Sequence, residues 1–219
     1  MTKEPRIALI HATPIAIDPI RIAFDAAWPG AERVNILEDS LSPDRARDGA
    51  VTDEMADRIL ALARYARMIG SDAALFTCSS FGSAIEQAAS ILDIPVLKPN
   101  EAMFEAAIRK GGRTAMLYTF PPARDGMESE FREEAARVDP SAEIESFFVE
   151  GAIEAVRAGD EATHNRLVAE AAARIEAFDA ITLAHFSTAR ALHAVQAVTT
   201  IPVLTSPDAA VAKLRRLLG

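Results

Sequence analysis

The sequence of 219 residues has a single cysteine, few aromatic residues and no long apolar run, and these shortages exclude whole classes of protein. One cysteine excludes an internal disulfide framework, so we expect a reducing compartment, the cytoplasm. No uninterrupted apolar run approaches the length that crosses a bilayer, and no apolar leader follows residues 1–6. We therefore expect neither a membrane anchor nor a membrane partner.

Basic residues are outnumbered by acidic ones, 23 Lys and Arg against 32 Asp and Glu, which gives a net charge of −9. Nucleic acid and anionic membrane surfaces favour clustered Lys and Arg, so we expect no nucleic-acid partner. Half of the residues are apolar and a quarter are charged, as in a globular protein with a substantial core. An anionic substrate then needs a local binding site.

Apolar strands alternate with amphipathic helices along the first half of the chain, which predicts a parallel α/β sheet. Strands are predicted at 6–11 and 32–37, and helices at 18–28 and 52–69. The polar stretch 38–50 is predicted to be a loop long enough to cover a site.

The apolar strand that begins at Ala73 leads into Cys78-Ser79-Ser80, the centre of the predicted site. A helix is predicted over 83–92, so the cysteine lies between the carboxyl end of a strand and the start of a helix. Free N–H groups and the helix dipole at such a position lower the pKa of a thiol and favour a bound carboxylate. A strand at 94–97 and a helix at 100–110 are predicted to complete this half.

The second half of the sequence repeats the first with a constant shift of about 107 residues. This shift takes Arg6 to Arg113, Pro14 to Pro121, and the segment 94–97 to 201–204. We therefore expect two similar α/β lobes, 1–107 and 108–219, each a short parallel sheet flanked by helices and related to the other by a pseudo-twofold. Ligands of parallel α/β units bind beyond the carboxyl ends of the strands, so the site is expected in the cleft between the lobes.

The same shift pairs Cys78 with His185, which places the two side chains opposite each other across the expected cleft. Other strand ends pair in the same way: His11 with Tyr118, Thr13 with Phe120, and Lys98 with Thr205. His164 and His193 fall within predicted helices and are expected at the surface. No spacing of histidine, cysteine and carboxylates predicts a closed metal site.

The sequence resembles the aspartate/glutamate racemase superfamily in three features. These are the internal repeat, the segment Phe76-Thr77-Cys78-Ser79-Ser80 and the segment Ile181-Thr182-Leu183-Ala184-His185. That superfamily includes amino-acid racemases, hydantoin racemase, maleate isomerase and arylmalonate decarboxylase. The resemblance covers nearly the whole chain and implies catalysis without metal or organic cofactor. It also implies a homodimer or larger homo-oligomer.

The racemases of this superfamily carry a cysteine at both positions, one on each face of the substrate's α-carbon. In this sequence His185 stands at the second position. The decarboxylase branch also keeps one cysteine, but in the second lobe, which is the opposite arrangement. The resemblance therefore specifies the fold and the place of the site but leaves the reaction open.

Proton removal next to a carboxylate requires a base on one face and stabilisation of the enolate. We expect Cys78 to act as a thiolate base and His185, whose ordinary pKa is near neutrality, as the opposing acid or base. Residues at the neighbouring strand ends are the candidates for binding a small carboxylate substrate: Ser79, Ser80, Thr13, His11, Tyr118, Thr119, Lys98, Phe186 and Ser187.

Several reactions fit this pair of side chains. The first is racemisation, epimerisation or isomerisation of a small carboxylate without a cofactor. Decarboxylation or lyase chemistry through an enolate is an alternative, and nucleophilic hydrolysis by a Cys–His pair is a weaker one. A different class of protein, a paralogue that binds carboxylates without turning them over, also fits the loss of one catalytic cysteine.

Overall fold

The computed structural model describes residues 4–219, which form two lobes, each built on a parallel sheet of four strands. The first sheet has the order β2-β1-β3-β4 and the second the order β6-β5-β7-β8, so the two lobes share one topology. The expected fold class is thereby confirmed. The strands are β1 Arg6–His11, β2 Glu32–Leu37, β3 Ala73–Phe76, β4 Val96–Leu97, β5 Arg113–Tyr118, β6 Glu143–Phe148, β7 Ala180–Leu183 and β8 Val203–Thr205.

Helices cover both faces of each sheet. They are α1 Ile17–Ala27, α2 Leu41–Asp48, α3 Asp53–Met68, α4 Gly82–Ile91, α5 Glu101–Ile108, α6 Arg124–Val138, α7 Ala152–Arg157, α8 Glu161–Ala172, α9 Leu192–Gln196 and α10 Ser206–Leu218. Short 3-10 turns follow four of the strands, at Pro14–Ala16, Ser79–Phe81, Pro121–Ala123 and Phe186–Ala191. No helix in this described part of the chain is long and apolar enough to cross a membrane.

The central strands β1 and β3 are buried on both faces, as their unbroken apolar sequences predict. Because side chains alternate along a strand, Leu9 and Leu75 pack beneath α1, while Ile10 and Phe76 face α3 and α4. Thr52 caps α3, since its side chain accepts a hydrogen bond from the Met55 amide at 3.2 Å.

The two halves of the chain exchange their last helices. Phe104 of α5, the last helix of the first half, packs in the second lobe's core with Phe131, at 5.6 Å between ring centroids. In return, Val211 and Leu214 of α10 lie in the first lobe's core beside Phe24. The division at residue 107 thus marks the sequence repeat, whereas each lobe in space is completed by a helix from the other half.

Two details of the predicted pattern are wrong. The stretch 38–50 is not a loop throughout, because α2 forms inside it and ends at Gly49, whose φ of +69° is left-handed. The shift of 107 also fails at one strand, since β6 begins 111 residues after β2. The cause is α6, which has 15 residues against 11 in α1, and the register is recovered by β7.

Candidate functional site

A pocket opens where the carboxyl ends of both sheets face each other. We call it the Cys78 pocket. Its lining comes from the turns after β1, β3, β5 and β7, with α2 and α7 at its edge. The residues are Thr13, Ile15, Ala16, Ser42, Thr77, Cys78, Ser79, Ser80, Phe120, Ile153, Arg157, His185, Phe186 and Ser187.

Cys78 and His185 line this one pocket, as the sequence repeat predicts. The turns that carry them are joined by a hydrogen bond of 3.0 Å between Ser79 Oγ and His185 Nδ1. This contact crosses from the first lobe to the second and fixes the orientation of the imidazole. Nε2 of His185 is buried and has no hydrogen-bond partner within residues 4–219, so it is the ring nitrogen left for a substrate.

The thiol of Cys78 is less acidic than the sequence predicts. Burial raises its pKa, although hydrogen bonds from Ser80 and the charge of Arg45 act in the opposite direction. The predicted helix N-terminus lies one turn further along, because the 3-10 turn Ser79–Phe81 separates Cys78 from α4. The surroundings of Cys78 therefore favour a neutral thiol.

His185 is also neutral. Burial lowers the pKa of its imidazole to about 4, whereas its ordinary pKa allows either protonation state near neutrality. Its backbone is unusual as well, with φ of +70° in a non-glycine residue. Such a conformation costs about 1–3 kcal/mol and is concentrated at functional sites. The turn after β7 thus holds the histidine in a strained position over the pocket.

Five of the nine predicted substrate-binding residues line the Cys78 pocket. They are Thr13, Ser79, Ser80, Phe186 and Ser187. Their hydroxyls and backbone groups surround the space between the cysteine and the histidine. This arrangement provides hydrogen-bond donors on both lobes for a bound carboxylate.

The other four predicted substrate-binding residues do not line this pocket. His11 is fully buried and bonds Thr77 Oγ1 at 2.8 Å and Asn35 Oδ1 at 2.9 Å, so it supports the residue that precedes Cys78. Burial also lowers the pKa of His11. Tyr118 packs against Phe148, with ring centroids 5.4 Å apart.

Thr119 is buried, outside the lining of the Cys78 pocket. Lys98 lies in a neighbouring pocket and pairs with Glu86 and Glu133. His164, which was expected at the surface, is fully buried on α8 and bonds Asn165 at 2.8 Å, whereas His193 is exposed as predicted. Groups of three or more metal-ligating side chains are not found within the described ranges.

Sequence reasoning missed Arg157 and Ser42 as pocket residues. Arg157 ends α7, and its guanidinium lies 5.9 Å from the centroid of the Phe120 ring. With Cys78 and His185 neutral, it is the only charged side chain that the described residues bring to this pocket. Ser42 lies on α2, the helix hidden in the predicted loop. Neither residue carries a local sequence signal, because tertiary packing alone brings them to the site.

The two lobes have the same strand order, and equivalent turns of the two lobes bring a cysteine and a histidine to one pocket. The protein is therefore a pseudo-symmetric α/β protein with a site between its lobes. The family model for Asp/Glu/Hydantoin racemase matches residues 20–177. The chain belongs to this family, which confirms the resemblance stated from the sequence.

Solved structures of racemases share the fold. The chain is similar to a glutamate racemase isoform from Bacillus anthracis, with 13% identity, coverage of 99% of this chain and 82% of that chain, and a TM-score of 0.76. An aspartate racemase from Picrophilus torridus has 14% identity, coverage of 97% and 94%, and a TM-score of 0.71. An allantoin racemase from Klebsiella pneumoniae has 19% identity, coverage of 98% and 88%, and a TM-score of 0.71. A search of curated proteins gives no significant match.

Proposed function

We propose that this protein racemises, epimerises or isomerises a small carboxylate without a cofactor, and that Cys78 and His185 act on opposite faces of the substrate's carbon acid. The observation that carries the proposal is the hydrogen bond of 3.0 Å between Ser79 Oγ and His185 Nδ1. It links the cysteine turn of one lobe to the histidine turn of the other. A substrate in the pocket then has one of the two side chains on each side.

The proton accounting follows from the neutral state of both groups. His185 Nε2 takes the α-proton from one face and becomes imidazolium, while the Cys78 thiol gives its proton to the other face and becomes thiolate. The reverse reaction starts from that thiolate and imidazolium and restores the neutral pair. The sequence predicts a Cys78 thiolate as the base. In this proposal the thiolate acts as the base only in the reverse reaction.

The substrate carboxylate is held by Arg157 in this proposal. Arg157 is exposed at the edge of the pocket and is the one cation that residues 4–219 place in its lining, so it attracts an anion to the pocket mouth. Hydroxyls of Thr13, Ser79 and Ser187 lie in the same lining and supply further donors. Negative charge brought in by the substrate also favours formation of the imidazolium at His185.

Exchange of substrate protons with heavy water tests the proposal. The wild type is incubated in heavy water with small amino acids, hydroxy acids and dicarboxylates, and loss of the α-proton signal is followed by proton NMR. We expect exchange with at least one class of substrate and its loss in the double variant Cys78→Ala with His185→Ala. His193→Ala is the matched control, since His193 is exposed on α9 outside the pocket.

Three outcomes contradict the proposal. Exchange that persists in the double variant places the chemistry elsewhere. A carboxylate that binds saturably, but shows no proton exchange and no change of optical rotation or ultraviolet absorbance, favours a binding paralogue. Release of carbon dioxide favours a decarboxylase.

A further inference from the structure

A second pocket lies next to the Cys78 pocket and shares Ser79 and Ser80 with it. We call it the polar pocket. It is lined by Arg45 of α2, Ser83 of α4, and Gly126 and Glu130 of α6, so it too lies between the lobes. None of these four residues lines the Cys78 pocket.

Arg45 presents unused hydrogen-bond donors to the polar pocket. Its Nε and Nη1 atoms are buried and have no acceptor among residues 4–219. Buried guanidinium N–H groups without a partner are costly, and a carboxylate oxygen accepts a charge-assisted hydrogen bond from such a donor. Gly82 and Ser83, at the start of the ten-residue helix α4, line the same pocket and add free backbone N–H groups.

Glu130 presents an unused carboxyl group from the other lobe. Its side chain belongs to a residue that is only 6% exposed, and its Oε1 has no hydrogen-bond partner in the part of the chain described. Burial raises the pKa of Glu130 to about 8, so the group is largely protonated and uncharged at neutral pH. An uncharged carboxyl does not repel an anion and can hydrogen-bond a hydroxyl or amino group.

The other charged groups of the polar pocket pair with one another: one lysine faces two glutamates, which leaves one net negative charge opposite the positive charge of Arg45. Lys98 pairs with Glu86 and lies 3.4 Å from Glu133 Oε2, so these three groups form their own network. The groups without a partner are then Arg45, which needs an acceptor, and Glu130, which needs a polar neighbour.

We propose that the polar pocket is a second binding site, separate from the Cys78 pocket, for a small organic acid that carries a hydroxyl or amino group besides its carboxylate. The carboxylate binds Arg45 and the first N–H groups of α4. The hydroxyl or amino group binds Glu130. Such a ligand satisfies the unpartnered groups of both lobes at once and joins α2 and α4 to α6.

Gly126 allows the polar pocket to be closed without touching the Cys78 pocket. A Cβ atom at Gly126 meets no other atom within 4 Å, so Gly126→Phe can extend into the open space from α6. Gly126→Ala is the matched control, because it adds one methyl group and leaves most of the pocket empty.

The test is a titration of nitrogen-15-labelled protein with glycolate, serine and malate, followed by amide chemical shifts. Acetate, which lacks the hydroxyl, and ethanolamine, which lacks the carboxylate, are the paired probes. We expect saturable shifts at Gly82 and Ser83 with at least one of the first three probes, and binding at least roughly tenfold weaker for acetate and ethanolamine.

Variants separate this site from the catalytic one. Gly126→Phe and Arg45→Gln are expected to weaken binding roughly tenfold or more, while Gly126→Ala and Cys78→Ala leave it unchanged. Glu130→Gln keeps a polar partner and retains binding, whereas Glu130→Leu loses it.

No saturable shift at Gly82 and Ser83 with any of the three probes overturns the proposal. Equal binding of acetate also overturns it, as does binding that Cys78→Ala abolishes, because the probe then occupies the catalytic pocket. The readout is binding rather than turnover, so failure of this proposal leaves the proposed racemase activity untouched, and the converse also holds.

Discussion

The buried carboxyl of Glu130 is expected to make the stability of this protein fall as pH rises, and Glu130→Gln is expected to remove that dependence. The pKa of Glu130 in the folded protein is about 8, against an ordinary value of 4.5. Between these two pH values the unfolded chain releases a proton that the folded protein keeps. The free energy of unfolding therefore decreases from about pH 4.5 to about pH 8. Above about pH 8, the contribution of Glu130 no longer changes with pH.

The size of the effect follows from the same two pKa values. One unit of difference is worth about 1.4 kcal/mol, so the pair of values 4.5 and about 8 corresponds to an upper bound of roughly 5 kcal/mol. Screening by water is small, since the residue is only 6% exposed. The charges of Glu101, Glu134 and Glu86 act in the same direction as burial, and that of Lys98 opposes them.

Urea unfolding at pH 5 and at pH 8.5 measures this effect. The stability of Glu130→Gln relative to wild type is expected to rise by several kcal/mol between the two pH values. The control is Glu176→Gln at an exposed position, whose relative stability is expected to stay constant. Parallel stability profiles for wild type and Glu130→Gln would refute the assignment of a buried, protonated carboxyl.

Three further predictions concern the strained turn, the exchanged helix and the pocket cation. His185→Gly is expected to be more stable than His185→Ala by about 1 kcal/mol, because glycine tolerates the φ of +70° at this position. If urea unfolding gives the opposite order of stability, the backbone at His185 is not strained. Phe104→Ala is expected to lower the free energy of unfolding by about 3–5 kcal/mol, because the packing of Phe104 on Phe131 is lost. A loss under about 1 kcal/mol, measured by calorimetry, would contradict the placement of α5 in the second lobe. Arg157→Leu is expected to raise KM for a carboxylate substrate roughly tenfold or more, and steady-state kinetics with an unchanged KM removes it from substrate binding.

The sequence was sufficient for the sheets and for the pair at the centre of the site. Strands such as Arg6–His11 and Glu32–Leu37 were predicted with the bounds they have, because their apolar patterns are bordered by turn residues. The repeat then placed His185 opposite Cys78, and the structure puts both in one pocket. Local pattern and internal symmetry supply that information without any knowledge of packing.

Other features needed the three-dimensional structure or a closer reading of the pattern. His164 was expected at the surface, yet Val168 and Ala172 follow it at helical spacing on the buried face of α8, so its burial was present in the sequence. The helix α2 was missed because its residues are polar and its end depends on Gly49. The exchange of α5 and α10, and the arrival of Arg157 at the pocket, depend on contacts between distant segments that no local pattern encodes.

The burial of Cys78 and His185 changes the chemistry that the sequence predicts. From the sequence, a thiolate is expected at Cys78 because of the predicted helix start, and either protonation state at His185. The structure favours the neutral forms, because burial raises the pKa of the thiol and lowers that of the imidazole to about 4. In the reaction that we propose, proton removal is therefore by the imidazole in one direction and by the thiolate in the other.

The most direct test of two opposed bases is proton exchange measured separately for each enantiomer of a substrate in heavy water. Wild type is expected to exchange the α-proton of both enantiomers and to interconvert them. Cys78→Ala is expected to exchange only the enantiomer that faces His185, His185→Ala only the one that faces Cys78, and neither variant to racemise. Racemisation that survives either substitution, or loss of exchange from both enantiomers in Cys78→Ala while His185→Ala behaves as wild type, would contradict the two-sided account.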